Sequence, residues 1–195
     1  MAPPADLKAQ LLRYLTVAHD AVLWKIDGLS DYDLRRPLTP SGSNLLGLVK
    51  HLAWVELGYF GQVFDRPHGM DLAEYDEDEP NADMYARCDE PRDKVVALFG
   101  AARDHAVATI EALDLGDEGH VPWWGDNNPV TLSLIIVHMT TEMYRHLGHI
   151  DILREGIDGA VGLRDGNLNT APADDEFWPS YYKKVDEIAA SFRDL

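Results

Sequence analysis

Glu142 and His146 stand four residues apart in a strongly apolar segment that runs from Ile135 to Leu153. A helical step through that segment puts Ile135, Met139, Glu142, His146, Ile150 and Leu153 on one side. A carboxylate inside such a stripe is costly unless it is paired or bound to a metal. At i, i+4 spacing both side chains reach one point. The same anomaly recurs upstream, where His51 shares an apolar side with Leu48, Leu52 and Val55. One imidazole from one helix, with a carboxylate and an imidazole from another, makes three ligands. Three N/N/O ligands leave an open position, as in catalytic zinc sites. His51, Glu142 and His146 are therefore the candidate metal ligands and, through the ion, the candidate catalytic residues. Zinc is the first expectation. Nickel suits the same two imidazoles and carboxylate.

Plainer explanations stand beside this one. His51 alone fits a hydrogen-bonded core histidine, and Glu142 with His146 fits a buried pair without metal. His149 is either a ligand or an outer partner of one. His138 is expected to pack, and His19, His68, His105 and His120 to lie on the surface or in loops. Cys88, the one cysteine, has nothing electropositive near it in sequence to stabilise a thiolate.

The elements that must position these groups are helical. The first helix spans about Asp6 to Asp27 and stops at Gly28, a good residue for a left-handed helix end. A helical turn from Ser30 to Leu34 precedes Pro37. The second long helix starts after Ser43, the expected N-cap, and runs to about Phe64. The third runs from about Glu90 to Leu113 with Pro91 near its start. The fourth is opened by Pro129 and Thr131 and ends near Glu155, before Gly156. A last helical stretch covers Glu176 to Arg193. Between the second and third helices, Asp71 to Glu90 is the most acidic stretch and reads by composition as a solvated loop. Trp123 and Trp124 sit in the loop from Asp114 to Pro129. No run reads as a sheet. The expected architecture is all-α: an antiparallel four-helix bundle with long crossover loops and an extra C-terminal helix, its third connection arching over one end. It is expected as a single domain over 1–195, with a core at about 5–160 and a helical extension at about 175–195.

Composition narrows the function. The 195 residues carry 34 acidic and 17 basic side chains, a formal charge of -17. That opposes general nucleic-acid binding, which needs a basic face, and binding to an anionic membrane surface. The longest strongly apolar runs hold about eight residues against about twenty for a membrane span. A single cysteine forms no internal disulfide and points to a reducing compartment. The first residues lack a basic and an apolar leader region. The expected location is cytoplasmic.

Three stretches in combination resemble a known family: Trp24 to Asp31, Ser41 to Leu52, and Val137 to Met139 with Glu142 and Arg145 to Glu155. Together they resemble the DinB-like superfamily, over about residues 5 to 160. More narrowly, they resemble its actinobacterial branch related to mycothiol-dependent maleylpyruvate isomerase and mycothiol S-transferases. The resemblance implies a four-helix bundle with a divalent metal held by His51, Glu142 and His146. Glu142 stands where the common DinB-like pattern has a histidine. Arg145 and His149 match an Arg-His-x-Gly-His motif of close relatives. No stretch corresponds to the further C-terminal domain of the isomerase, so the expectation is an S-transferase. A metal at an open site ionises a bound thiol at neutral pH, the thiolate is the nucleophile, and the chain offers no suitable cysteine, so a cofactor thiol is expected; the resemblance implies mycothiol or a similar small thiol. The partners expected are that thiol and a small electrophile, with Trp123, Trp124 and the Asp71 to Glu90 segment at the pocket rim. The resemblance implies a homodimer, and the aromatic tail of Phe177, Trp178, Tyr181 and Tyr182 either supports it or packs on its own bundle. Two alternatives remain: a hydrolase using metal-bound water, and a non-catalytic metal-binding stress protein.

Overall fold

Apart from one two-residue ladder, the elements of the computed structural model are helical; it describes residues 6–70, 79–164, 166–169 and 176–193. The helices are α1 (Leu7–Ile26), α2 (Asp31–Arg35), α3 (Leu45–Phe60), α4 (Arg92–Ala112), α5 (Leu132–Asp158) and α6 (Phe177–Ala190). Strands β1 (Glu118–Gly119) and β2 (Val130–Thr131) pair antiparallel and brace the α4–α5 loop.

Local chemistry sets the helix ends. Asp6, Ser30, Asn44 and Thr131 each accept a backbone N–H with the side chain, capping α1, α2, α3 and α5. Asn44 therefore takes the capping role expected of Ser43. The second helix ends at Phe60, and a 3-10 turn at Gln62–Phe64 completes the apolar run. The last long helix continues through Gly156, which sits in open space, and stops at Gly159 with φ 75°. A glycine ends a helix where a left-handed conformation is required, not merely where a glycine occurs.

Contacts between helices fix their directions. Thr109, near the end of α4, donates to the carbonyl of Phe60 at the end of α3, so these neighbours run parallel. Lys25 pairs with Asp151 and Tyr144 reaches the carbonyl of Tyr14, so α1 and α5 run parallel too. Arg103 bonds Asp20, and Lys8 bonds the carbonyl of Leu113, so α4 runs against α1. Two helices thus point each way. Parallel neighbours cannot be joined by a tight turn, and the described residues 79–91 lie back beside the first half of α3, where Asn44 and Lys50 hold the carbonyls of Met84 and Ala82 and where α4 begins. That return is what brings a loop alongside the middle of α3.

The core lies between α1, α3, α4 and α5, with Leu15, Val22, Leu52, Leu57, Phe60, Phe99, Ile110, Ile135, Met139 and Ile150 all essentially inaccessible. Truncating a residue such as Phe99 to Ala costs about 3–5 kcal/mol. Leu7, on the apolar spacing of α1, is 58% exposed and lies outside the core. His19 is not a surface residue: it is 1% exposed, because α1 turns it inward between α3 and α4. Its Nδ1 donates to the carbonyl of Leu15 at 2.8 Å, its Nε2 lies 2.8 Å from Glu56 Oε2, and its ring leans on Phe99. His105 is half-buried on α4 with its ring 6.1 Å from His68, which is half-buried in the crossover, while His120 is exposed as expected. No buried residue belongs to α6, on which Tyr182 and Ile188 are exposed, as is Phe192 just beyond its end. No helix among the described residues is long and apolar enough to cross a membrane.

Candidate metal centre

Because α3 and α5 run in opposite directions, the middle of one meets the middle of the other. His51 on α3 faces His146 on α5 with ring centroids 4.8 Å apart. Glu142, one turn before His146, places Oε1 2.9 Å from His146 Nε2 and 3.8 Å from His51 Nε2. One ligand atom from each of His51, Glu142 and His146 lies within 4.8 Å of the other two. Two imidazole nitrogens and one carboxylate oxygen, converging from two helices, fit a divalent ion of the zinc or nickel type. All three sequence candidates therefore meet at one point.

The surroundings shift Glu142 and His146 towards the forms a metal needs. Burial raises the Glu142 carboxyl, but the His146 hydrogen bond and the charges of His146, His51 and Arg145 outweigh it and hold its pKa below the usual range. Burial, with the neighbouring His51, pushes His146 below an ordinary histidine. The result is an ionised carboxylate beside a neutral imidazole.

His149 does not join the three. It is exposed, and its Nδ1 lies 3.4 Å from the far nitrogen, Nδ1, of His146. His138, one turn before Glu142, packs its ring against Tyr59 at 4.7 Å and Trp124 at 4.9 Å. Burial lowers its pKa, against a smaller opposing pull from Glu142. Both Trp123 and Trp124 donate their indole N–H to the Tyr59 hydroxyl, at 3.2 and 3.1 Å. These rings form an aromatic cluster two turns along α3 from His51. Cys88 is exposed.

The crossover differs from the expected solvated loop. Residues 71–78 lie outside the described residues, but 79–90 fold back onto α3 and are mostly half-buried. The cause is Lys50, only 2% exposed. Its ammonium donates to the carbonyls of Ala82 and Tyr85 at 2.9 and 3.1 Å and pairs with Glu90 at 2.8 Å. Asn44 holds the carbonyl of Met84 at 3.1 Å. Tyr85 and Arg87 both bond Glu79. The segment delivers Asp83, whose Oδ2 accepts from His51 Nδ1 at 2.6 Å. That hydrogen bond holds the Asp83 carboxyl below its usual range, against the opposing effect of burial. Sequence reasoning missed Asp83 and Lys50. A signal for Lys50 existed: a lysine between Val49 and His51 in an otherwise apolar run. Nothing in the acidic stretch singled out Asp83.

No curated protein matches the chain. A family model described as mycothiol S-transferase matches residues 10–159, a span that covers nearly all of α1 and the whole of α2 to α5, with His51, Asp83, Glu142 and His146 inside it. With that match over most of its length, on a bundle that converges two histidines and a glutamate, the chain belongs to the mycothiol S-transferase family.

Proposed function

We propose that this protein is a metal-dependent S-transferase that joins mycothiol, or a similar low-molecular-weight thiol, to a small electrophile. The observation that carries the proposal is the convergence of His51, Glu142 and His146 from facing helices. A divalent ion held there supplies the charge that lets a thiol ionise near neutral pH. The chain's own residues do the rest. His51 and His146 hold the ion as neutral donors, and Glu142 adds one negative charge that tightens the grip. His149 rests on the outer nitrogen of His146 and keeps that ring from turning. The aromatic cluster of Tyr59, Trp123, Trp124 and His138 offers an apolar wall near Glu142 for the electrophile. The single cysteine, Cys88, is not among the donor groups that converge at the site, so the thiol is supplied as a co-substrate. The same donors would also activate water, and assay separates the two outcomes.

Metal analysis of the purified chain should find about one divalent ion, zinc first, and His51→Ala and His146→Ala should lose most of it. Activity with mycothiol and a panel of electrophiles should vanish on chelation and return with added metal. Equal conjugation by the chelated protein overturns the proposal. Turnover of an ester or amide without any thiol would replace it with hydrolysis. The exposed apolar residues of α6, Tyr182 and Ile188, with Phe192 just beyond it, support the further proposal that two copies pair through this helix. A strictly monomeric mass by light scattering at micromolar concentration removes it.

A further inference from the structure

We infer that Asp83 is a positioning residue for the metal centre: it fixes His51 as the Nδ1–H tautomer and aims Nε2 at the ion. This rests on the proposed metal site and adds a role outside the three ligands. The argument starts from hydrogen-bond chemistry. A carboxylate only accepts, so the 2.6 Å contact between Asp83 Oδ2 and His51 Nδ1 requires the hydrogen on Nδ1. The other nitrogen, Nε2, is then a lone-pair donor, and it is the one that faces Glu142 Oε1 at 3.8 Å. Without a partner at Nδ1, the imidazole is free to carry its hydrogen on either nitrogen and to swing about its Cβ–Cγ bond.

Asp83 is itself held, which separates it from a passing surface carboxylate. Lys50, the residue before His51, grips the carbonyls of Ala82 and Tyr85 on either side of it. Asn44 grips the carbonyl of Met84, and Gly47 admits that carbonyl where a Cβ would collide with it. Asn44, Gly47, Lys50 and His51 stand three, three and one residue apart, which puts them along one side of α3. One side of one helix thus carries a ligand and the three residues that dock its partner. The arrangement is a carboxylate–histidine–metal chain whose carboxylate comes from the crossover.

The test uses the full chain. Zinc affinity is measured by competition with a chromophoric chelator for wild type, Asp83→Ala and Asp83→Asn. Long-range proton–nitrogen NMR of the metal-free protein reports the His51 tautomer. Removing the partner should weaken zinc binding about 10- to 100-fold, with circular dichroism still native. Asp83→Asn keeps an acceptor oxygen and should retain the Nδ1–H form with a smaller loss of affinity. Asp83→Ala should lose that form. Wild-type His51 as the Nε2–H tautomer, or unchanged tautomer and affinity in Asp83→Ala, overturns the inference. If the wild type binds no zinc, the metal proposal fails, and the tautomer measurement still decides the role of Asp83.

Discussion

Replacing Gly47 by alanine should destabilise the protein, although helix propensity alone says the reverse. Gly47 sits in the first turn of α3, where alanine is worth up to about 1 kcal/mol more than glycine. Here the added Cβ would overlap the carbonyl of Met84 and lie 2.8 Å from Oδ1 of Asn44, the capping group of the helix. The first is backbone of the crossover and cannot rotate away. Overpacking a filled site costs about 1–3 kcal/mol. Pushing Met84 outward also strips the Asn44 bond to its carbonyl, at 3.1 Å, for about 1 kcal/mol more. The balance is a loss of about 2 kcal/mol, or roughly 4–8 °C in melting temperature for a chain of this size. Gly100, on α4 with nothing within 4 Å of its would-be Cβ, is the control and should melt higher as alanine. Thermal melts by circular dichroism decide the matter, with zinc affinity measured on the same samples. Affinity should fall in Gly47→Ala because Asp83 moves with Met84. A Gly47→Ala melt at or above wild type, rising as Gly100→Ala rises, would refute the close approach.

Three further outcomes are expected. Glu142→Gln should keep the fold, bind metal more weakly and cut conjugation at least about tenfold, on the order of 1.4 kcal/mol of barrier; unchanged rate at saturating metal counts against a role for its charge. Because burial holds the native His146 pKa below the usual value, the unfolded chain takes up that proton first. The stability of the metal-free protein should therefore drop as pH falls from about 6.5 towards the lower native value. Denaturant melts at pH 7.5 and 5.5 check this, and His146→Asn should flatten the slope; identical slopes would discard the assignment. His19→Ala leaves Glu56 buried and unpaired and should cost about 3–5 kcal/mol, whereas replacing both with leucine should cost less. Urea titration of the single and double variants compares them.

The parts of the fold written in periodicity were legible, because a helix buries one stripe and that stripe repeats every three to four residues. Glu142, His146 and His51 stood out for the same reason, as ionisable groups on apolar sides. What escaped was set by partners far away in sequence. Asp83 lies in a stretch whose composition is that of a solvated loop, and it is drawn inward by Lys50, Asn44 and His51, all more than thirty residues away. His19 looked like a surface residue because its partner, Glu56, sits on a different helix. The parallel pairing of α3 with α4 leaves no local mark, since it concerns how long a connection must be and not what it contains. Gly156 and Gly159 are alike as letters, and only the backbone angle at Gly159 separates a helix end from a helical position.

The topology also bears on how the centre comes into being during folding. The Glu142–His146 contact spans four residues, so it closes with the single turn that carries it. The His51–Asp83 contact spans 32 and waits for the crossover to return. The meeting of His51 with Glu142 waits for two helices separated by the crossover, α4 and a second loop to dock. Contacts of growing sequence separation carry growing loop-closure entropy and form later. The complete ligand set therefore exists only in the finished bundle, and an ion bound by all three favours the native state over every earlier one. If the proposed ion is bound there, metal retention reads out completed topology, and a chelator should speed global unfolding.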